Sequence, residues 1–189
     1  MDDDVYLAYA TDCCALAALG GHMEVLQWLR GNGCDWNAQT CAHAAAGGHL
    51  ELLKWAREHG CPWQDDINFW DYETEKDCCA AAAQGGHLEV LQWLRQHDVP
   101  WREETCAGAA AGGHLEVLRW AREHDCPWGV WTCANAAQGG HVEVLHWARA
   151  HDCPWDELTC ACCSGRGSTT ARGIKIRVRP LLMRGNWRC

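Results

Sequence analysis

The chain has 189 residues, among them 15 cysteines and 13 tryptophans, and a formal charge of −9. So much cysteine points to a secreted disulfide scaffold, yet Met1-Asp-Asp-Asp-Val has neither the basic nor the apolar region of a signal peptide, and the cysteine count is odd. No apolar run reaches the roughly 18–20 residues of a membrane span, and seven of the sixteen Lys/Arg residues fall in an acid-free stretch at 164–189. That leaves an acidic body poorly matched to a phosphate backbone. The composition predicts a cytoplasmic protein with no membrane segment and no nucleic-acid-binding body.

In chain order, the triplet Gly-Gly-His ends at His22, His49, His87, His114 and His141. The spacing is 27 residues except between His49 and His87, where it is 38. Cysteines keep step eight residues before each histidine: Cys14, Cys41, Cys79, Cys106 and Cys133. Tryptophans follow six residues after, from Trp28 to Trp147, and fourteen after, from Trp36 to Trp155. These are five near-copies of one unit between about residues 12 and 155.

Each unit reads as two short helices. In Thr40-Cys-Ala-His-Ala-Ala-Ala-Gly-Gly-His49, Thr40 is the expected N-cap and the alanines favour helix. Gly47 and Gly48 end it, because glycine adopts the left-handed C′ conformation cheaply. In the first and third units Asp12 and Asp77 stand in for the missing threonine cap. The second helix follows at Leu50-Glu-Leu-Leu-Lys-Trp-Ala-Arg-Glu-His59, with Glu51 in its first turn where the helix dipole favours an acid. Its apolar arc of roughly 220° is too wide for one neighbour. Gly60, or Asp98, Asp125 and Asp152 in other units, closes it, and Cys-Pro-Trp prevents its resumption. Such helix pairs bury their apolar faces only by stacking. The fold class is therefore all-α, an α-solenoid occupying residues 1–163 with the start of a sixth unit.

Two segments break the pattern. An insertion near 65–77 alternates acids with Phe69, Trp70 and Tyr72. Residues 164–189 form a basic tail without helical period, expected to be disordered or aberrant. It reads as a basic arm for nucleic acid, or as an out-of-frame extension following a two-nucleotide loss after Ala161. A solenoid needs a polar terminal cap, so the far side of the fifth unit is predicted to favour self-association.

The run Thr105-Cys-Ala-Gly-Ala-Ala-Ala-Gly-Gly-His114-Leu-Glu-Val-Leu118 resembles the ankyrin repeat, and the resemblance recurs five times over residues 12–161. Thr105, Ala109, Ala110, Gly113, His114, Val117 and Leu118 fall where that pattern places them. The period here is 27 residues, shorter than the family's, and the difference lies where ankyrin repeats carry a β-hairpin. A shortened Cys-Pro-Trp turn is expected instead. The resemblance implies a non-enzymatic scaffold that binds another protein through its concave face.

Cysteine and histidine together also raise a metal-binding or redox reading. No Cys-x₂₋₄-Cys ligand pair occurs within a unit, so these residues are expected to pack rather than ligate. Disulfides between equivalent positions of neighbouring units are disfavoured, since helix axes stand about 8–10 Å apart. A Cys106–His114 catalytic pair would be repeated five times in step, whereas an active site is needed once. The histidines of the triplet are expected to bind backbone at the turns between units. No cofactor-binding motif occurs. The remaining candidates are positions that vary between units: His43, Ala81, Gly108 and Asn135 on first helices, and Arg102, Glu103 and Trp131 at turns. Trp131 either anchors a partner or folds back on Trp128. With Phe69, Trp70 and Tyr72, these form the expected partner-binding set.

Overall fold

The computed structural model describes residues 13–62 and 77–155. Its helices pair in order: α1 (described over 13–19) with α2 (Met23–Gly31), α3 (Ala38–Ala46) with α4 (Leu50–Glu58), and α5 (Cys78–Gly85) with α6 (Leu88–Gln96). The last pairs are α7 (Glu103–Gly112) with α8 (Leu115–Glu123) and α9 (Val130–Gln138) with α10 (Val142–Ala150). There is no strand among the described residues, and the connections from α2 to α3, α6 to α7 and α8 to α9 are the short turns expected from the missing hairpin residues.

First helices make the most extensive contacts, α3 on α5, α5 on α7 and α7 on α9. The cause is their small side chains. Ala44, Ala45, Ala82, Ala109 and Ala136 are fully buried, and a Cβ on Gly108 would stand 2.7 Å from the Ala80 carbonyl. Second helices supply the bulk, with Leu26, Leu53, Leu91 and Leu118 fully buried.

The left-handed closures fall where expected. Gly48, Gly86, Gly113 and Gly140 have φ between +73° and +79° after first helices, and Asp98, Asp125 and Asp152 have φ of 56–62° after second helices. Those three aspartates occupy the position of Gly60, where φ is +85° and a Cβ would meet nothing within 4 Å.

One expectation is corrected. Thr40 does not cap α3; the N-cap is Asn37, whose side chain accepts from Gln39 N–H at 3.0 Å. Thr40, Thr105 and Thr132 lie inside their helices, fully buried, and their hydroxyls make no hydrogen bond among the described residues. The three residues preceding each threonine read as turn in sequence, yet they supply the N-cap and the first two helical residues. In the third unit Asp77 does cap α5, accepting from Cys79 N–H at 2.9 Å.

Candidate protein-binding face

Two histidine ladders fix the geometry between and within units. His49, His87, His114 and His141 donate from Nε2 to the carbonyls of Leu19, Ala46, Gln84 and Ala111 in the preceding unit, at 2.9–3.1 Å. This is the backbone-binding role expected of them. Each ring also fills the space beside the left-handed glycine of the unit before: a Cβ on Gly86 would stand 2.5 Å from His114 Nδ1. His59, His97, His124 and His151 sit at the C-termini of second helices, donating from Nδ1 to the tryptophan carbonyl one turn back at 2.8–2.9 Å. Their rings stack on those tryptophans with centroids 4.2–4.4 Å apart.

The tryptophans join neighbouring units as well. Trp36, Trp101 and Trp128 meet Trp55, Trp120 and Trp147 of the next unit edge to face, at 5.7–5.8 Å. Arg30, Arg95, Arg122 and Arg149 cover Trp36, Trp101, Trp128 and Trp155 at 4.3–4.7 Å. Arg95 also donates to the Val99 carbonyl at 2.7 Å, closing the turn its own helix leads into. This arginine–tryptophan–tryptophan–histidine chain was not foreseen. Its signal was in the sequence, as an arginine at a constant distance from both tryptophans.

The opposite face, floored by first helices, carries a shallow cavity of about 360 Å³ across α5, α7 and α9. Ala80, Gln84, Ala107, Gly108 and Ala111 form its floor, and Glu103, Glu104, Trp131 and Asn135 its polar and aromatic wall. Trp131 is 56% exposed here, while Trp128 pairs with Trp147. Asn135 spends one amide hydrogen on the Ala107 carbonyl at 3.3 Å. The Glu103 carboxylate lies against Gly129, the N-cap of α9, where the helix dipole favours a negative group.

The structure thus brings together five of the variable positions, Ala81, Glu103, Gly108, Trp131 and Asn135. Arg102 is exposed at the N-cap of α7 and does not line the cavity. His43 is further along the floor, its Nδ1 donating to the Gln39 carbonyl at 2.8 Å. Phe69, Trp70 and Tyr72 lie outside the described residues, as do the tail and its predicted break. Leu16, Leu19, Val25 and Trp28 of the first unit are exposed, as are Trp131 and Val142 of the fifth.

Residues 14–102 match the family described as ankyrin repeats, in three copies. Over those residues the chain carries ankyrin repeats. No curated protein matches it. The family match stops at the end of the third unit, at the N-cap of α7, whereas the helix pairs continue in the same geometry through α10, so the ankyrin-like architecture extends beyond the matched residues. Ankyrin repeats generally mediate protein–protein interaction. No described helix is long and apolar enough to cross a membrane. Among the described residues, no three Cys, His, Asp or Glu side chains come together to hold a metal ion.

Proposed function

We propose that this chain is a non-catalytic, cytoplasmic scaffold that binds another protein along the floor formed by its first helices. The observation that supports this is the cavity over α5, α7 and α9, where an exposed indole stands beside two carboxylates on a smooth alanine and glycine floor. A side chain such as Trp131 loses little entropy on binding and offers a large apolar face, which is why tryptophan dominates interface energetics. Glu103 and Glu104 favour a partner segment carrying lysine or arginine, which would meet carboxylate and indole together. The insertion bearing Phe69, Trp70 and Tyr72 is a second contact surface in this reading, on the ground that loops interrupting solenoids emerge on binding faces.

Selection from a displayed random-peptide library on the immobilised full chain tests it. Recovered peptides are expected to be enriched in basic residues. Their binding should weaken at least about tenfold with Trp131→Ala, or with Glu103→Gln and Glu104→Gln combined, in line with hot-spot losses above 1 kcal/mol. Peptides that bind all variants equally would overturn the assignment of this face.

A further inference from the structure

Each unit of this chain also places two thiols together, a feature that partner binding does not use. Cys41 on α3 shares a side-chain hydrogen bond with Cys61, twenty residues later in the turn after α4. The same pair recurs as Cys106 with Cys126 and Cys133 with Cys153. The register is constant: Cys61, Cys126 and Cys153 each direct Sγ–H at the carbonyl one turn before the partner cysteine, on Asn37, Arg102 and Gly129, at 3.4–3.7 Å. Cys14 and Cys34 occupy the corresponding positions of the first unit, and Cys34 packs against the core cluster containing Cys14. The third unit breaks the series, because Val99 stands where the second cysteine would be, although the Cys79 sulfur keeps the 4.0 Å contact with that residue's carbonyl that Cys106 makes with Cys126.

We propose that these pairs, Cys14–Cys34, Cys41–Cys61, Cys106–Cys126 and Cys133–Cys153, are reversible disulfide sites for exchange with a small-molecule disulfide of the glutathione class. A bridge would tie the first helix of a unit to the turn that ends it, leaving the contacts between units as they are. The shared hydrogen bond and burial keep the inner thiols protonated, so exchange begins where a sulfur reaches solvent and follows at the three pairs whose sulfurs are both buried only when the turn after the second helix opens. Cys34 is partly exposed, whereas Cys14 is fully buried with its pKa pushed up to about 11, chiefly by burial. The Cys34 thiolate attacks one sulfur of the reagent and expels the other as a thiol. The Cys14 thiolate then attacks the Cys34 sulfur, forming the protein disulfide and expelling the second reagent thiol. Two protein thiols lose two electrons and two protons, and the reagent disulfide gains them.

The test is equilibration of the reduced full chain in glutathione buffers of increasing oxidation, followed by alkylation of free thiols and peptide mapping without reduction. The expected result is four bridges, each two hydrogens lighter than the dithiol, with Cys14–Cys34 formed first and Cys79 alkylated throughout. Cys126→Val copies what the third unit already carries at Val99, so the fold is retained. It should abolish the bridge at Cys106 and leave the other three. Complete alkylation of all four pairs in the most oxidising buffer would overturn the proposal. So would a bridge from Cys61 to its inter-unit neighbour Cys78, or the same four bridges formed by chain unfolded in urea.

Discussion

Replacing Gly86 with alanine probes the joint between units. The residue has φ of +79°, a conformation that costs an L-residue about 1–2 kcal/mol. The new Cβ would also stand 2.5 Å from Nδ1 and 2.6 Å from Cε1 of His114. The ring must move, and its 3.1 Å bond to the Gln84 carbonyl goes with it. Losing that bond adds about 1 kcal/mol, for a total of about 2–3 kcal/mol. Gly60→Ala is the matched control, since φ there is +85° and nothing lies within 4 Å of the added carbon. It carries the conformational cost alone. Equilibrium urea denaturation followed by far-UV circular dichroism should therefore rank the variants wild type, Gly60→Ala, then Gly86→Ala, with the last two separated by about 1 kcal/mol. Placing His114→Ala in both backgrounds should cost less beside Gly86→Ala than in the native chain. Equal losses for the two glycine variants would refute the idea that the histidine ring locks the joint.

Two further outcomes follow from single side chains. Thr105→Val removes a buried hydroxyl that has no described partner, and stability should be unchanged or raised by up to about 1 kcal/mol; a clear loss in the same urea assay would mean that the hydroxyl is bonded. Burial raises the Asp77 carboxyl above its ordinary value, against the opposing effect of the Cys79 N–H it accepts. The folded chain then holds that proton more tightly than the unfolded one, so this group's contribution is present at low pH. It is lost as pH rises from the unfolded to the folded carboxyl value. Asp77→Asn should remove that dependence and be the more stable form above the window, with the helix cap kept as Asn37 keeps it in α3. A stability difference between Asp77→Asn and wild type that stays flat with pH would refute this account.

Local rules made the helix pairs, the left-handed closures and the triplet histidines readable. Gly48 and Asp98 sit where helix ends demand positive φ, and both residue types tolerate it. Thr40 was misplaced because Asn37-Ala-Gln39 has turn composition, and only packing against neighbouring first helices decides that the helix starts there. The Trp36–Trp55 contact and its arginine cover depend on how one unit docks on the next, which no spacing within a unit specifies. The Cys41–Cys61 pair was hidden differently: the spacing was regular, but it matches no ligand motif and became visible only when the turn folded back on α3. For the candidate face, variation between units pointed to Trp131 and Glu103, yet it pointed equally to Arg102, which faces elsewhere.

The alanine floor has a metric consequence for whatever lies on it. Packed helices repeat about every 8–10 Å, and an extended peptide advances about 3.3 Å per residue. A segment running along the floor would thus meet an equivalent helix roughly every third residue. The row α3, α5, α7, α9 becomes a ruler, on which the equivalent positions 43, 81, 108 and 135 are the marks, polar at His43 and Asn135 and flat at Ala81 and Gly108. A ligand shifted by one or two residues would fall between marks, so register itself becomes part of what the face can discriminate.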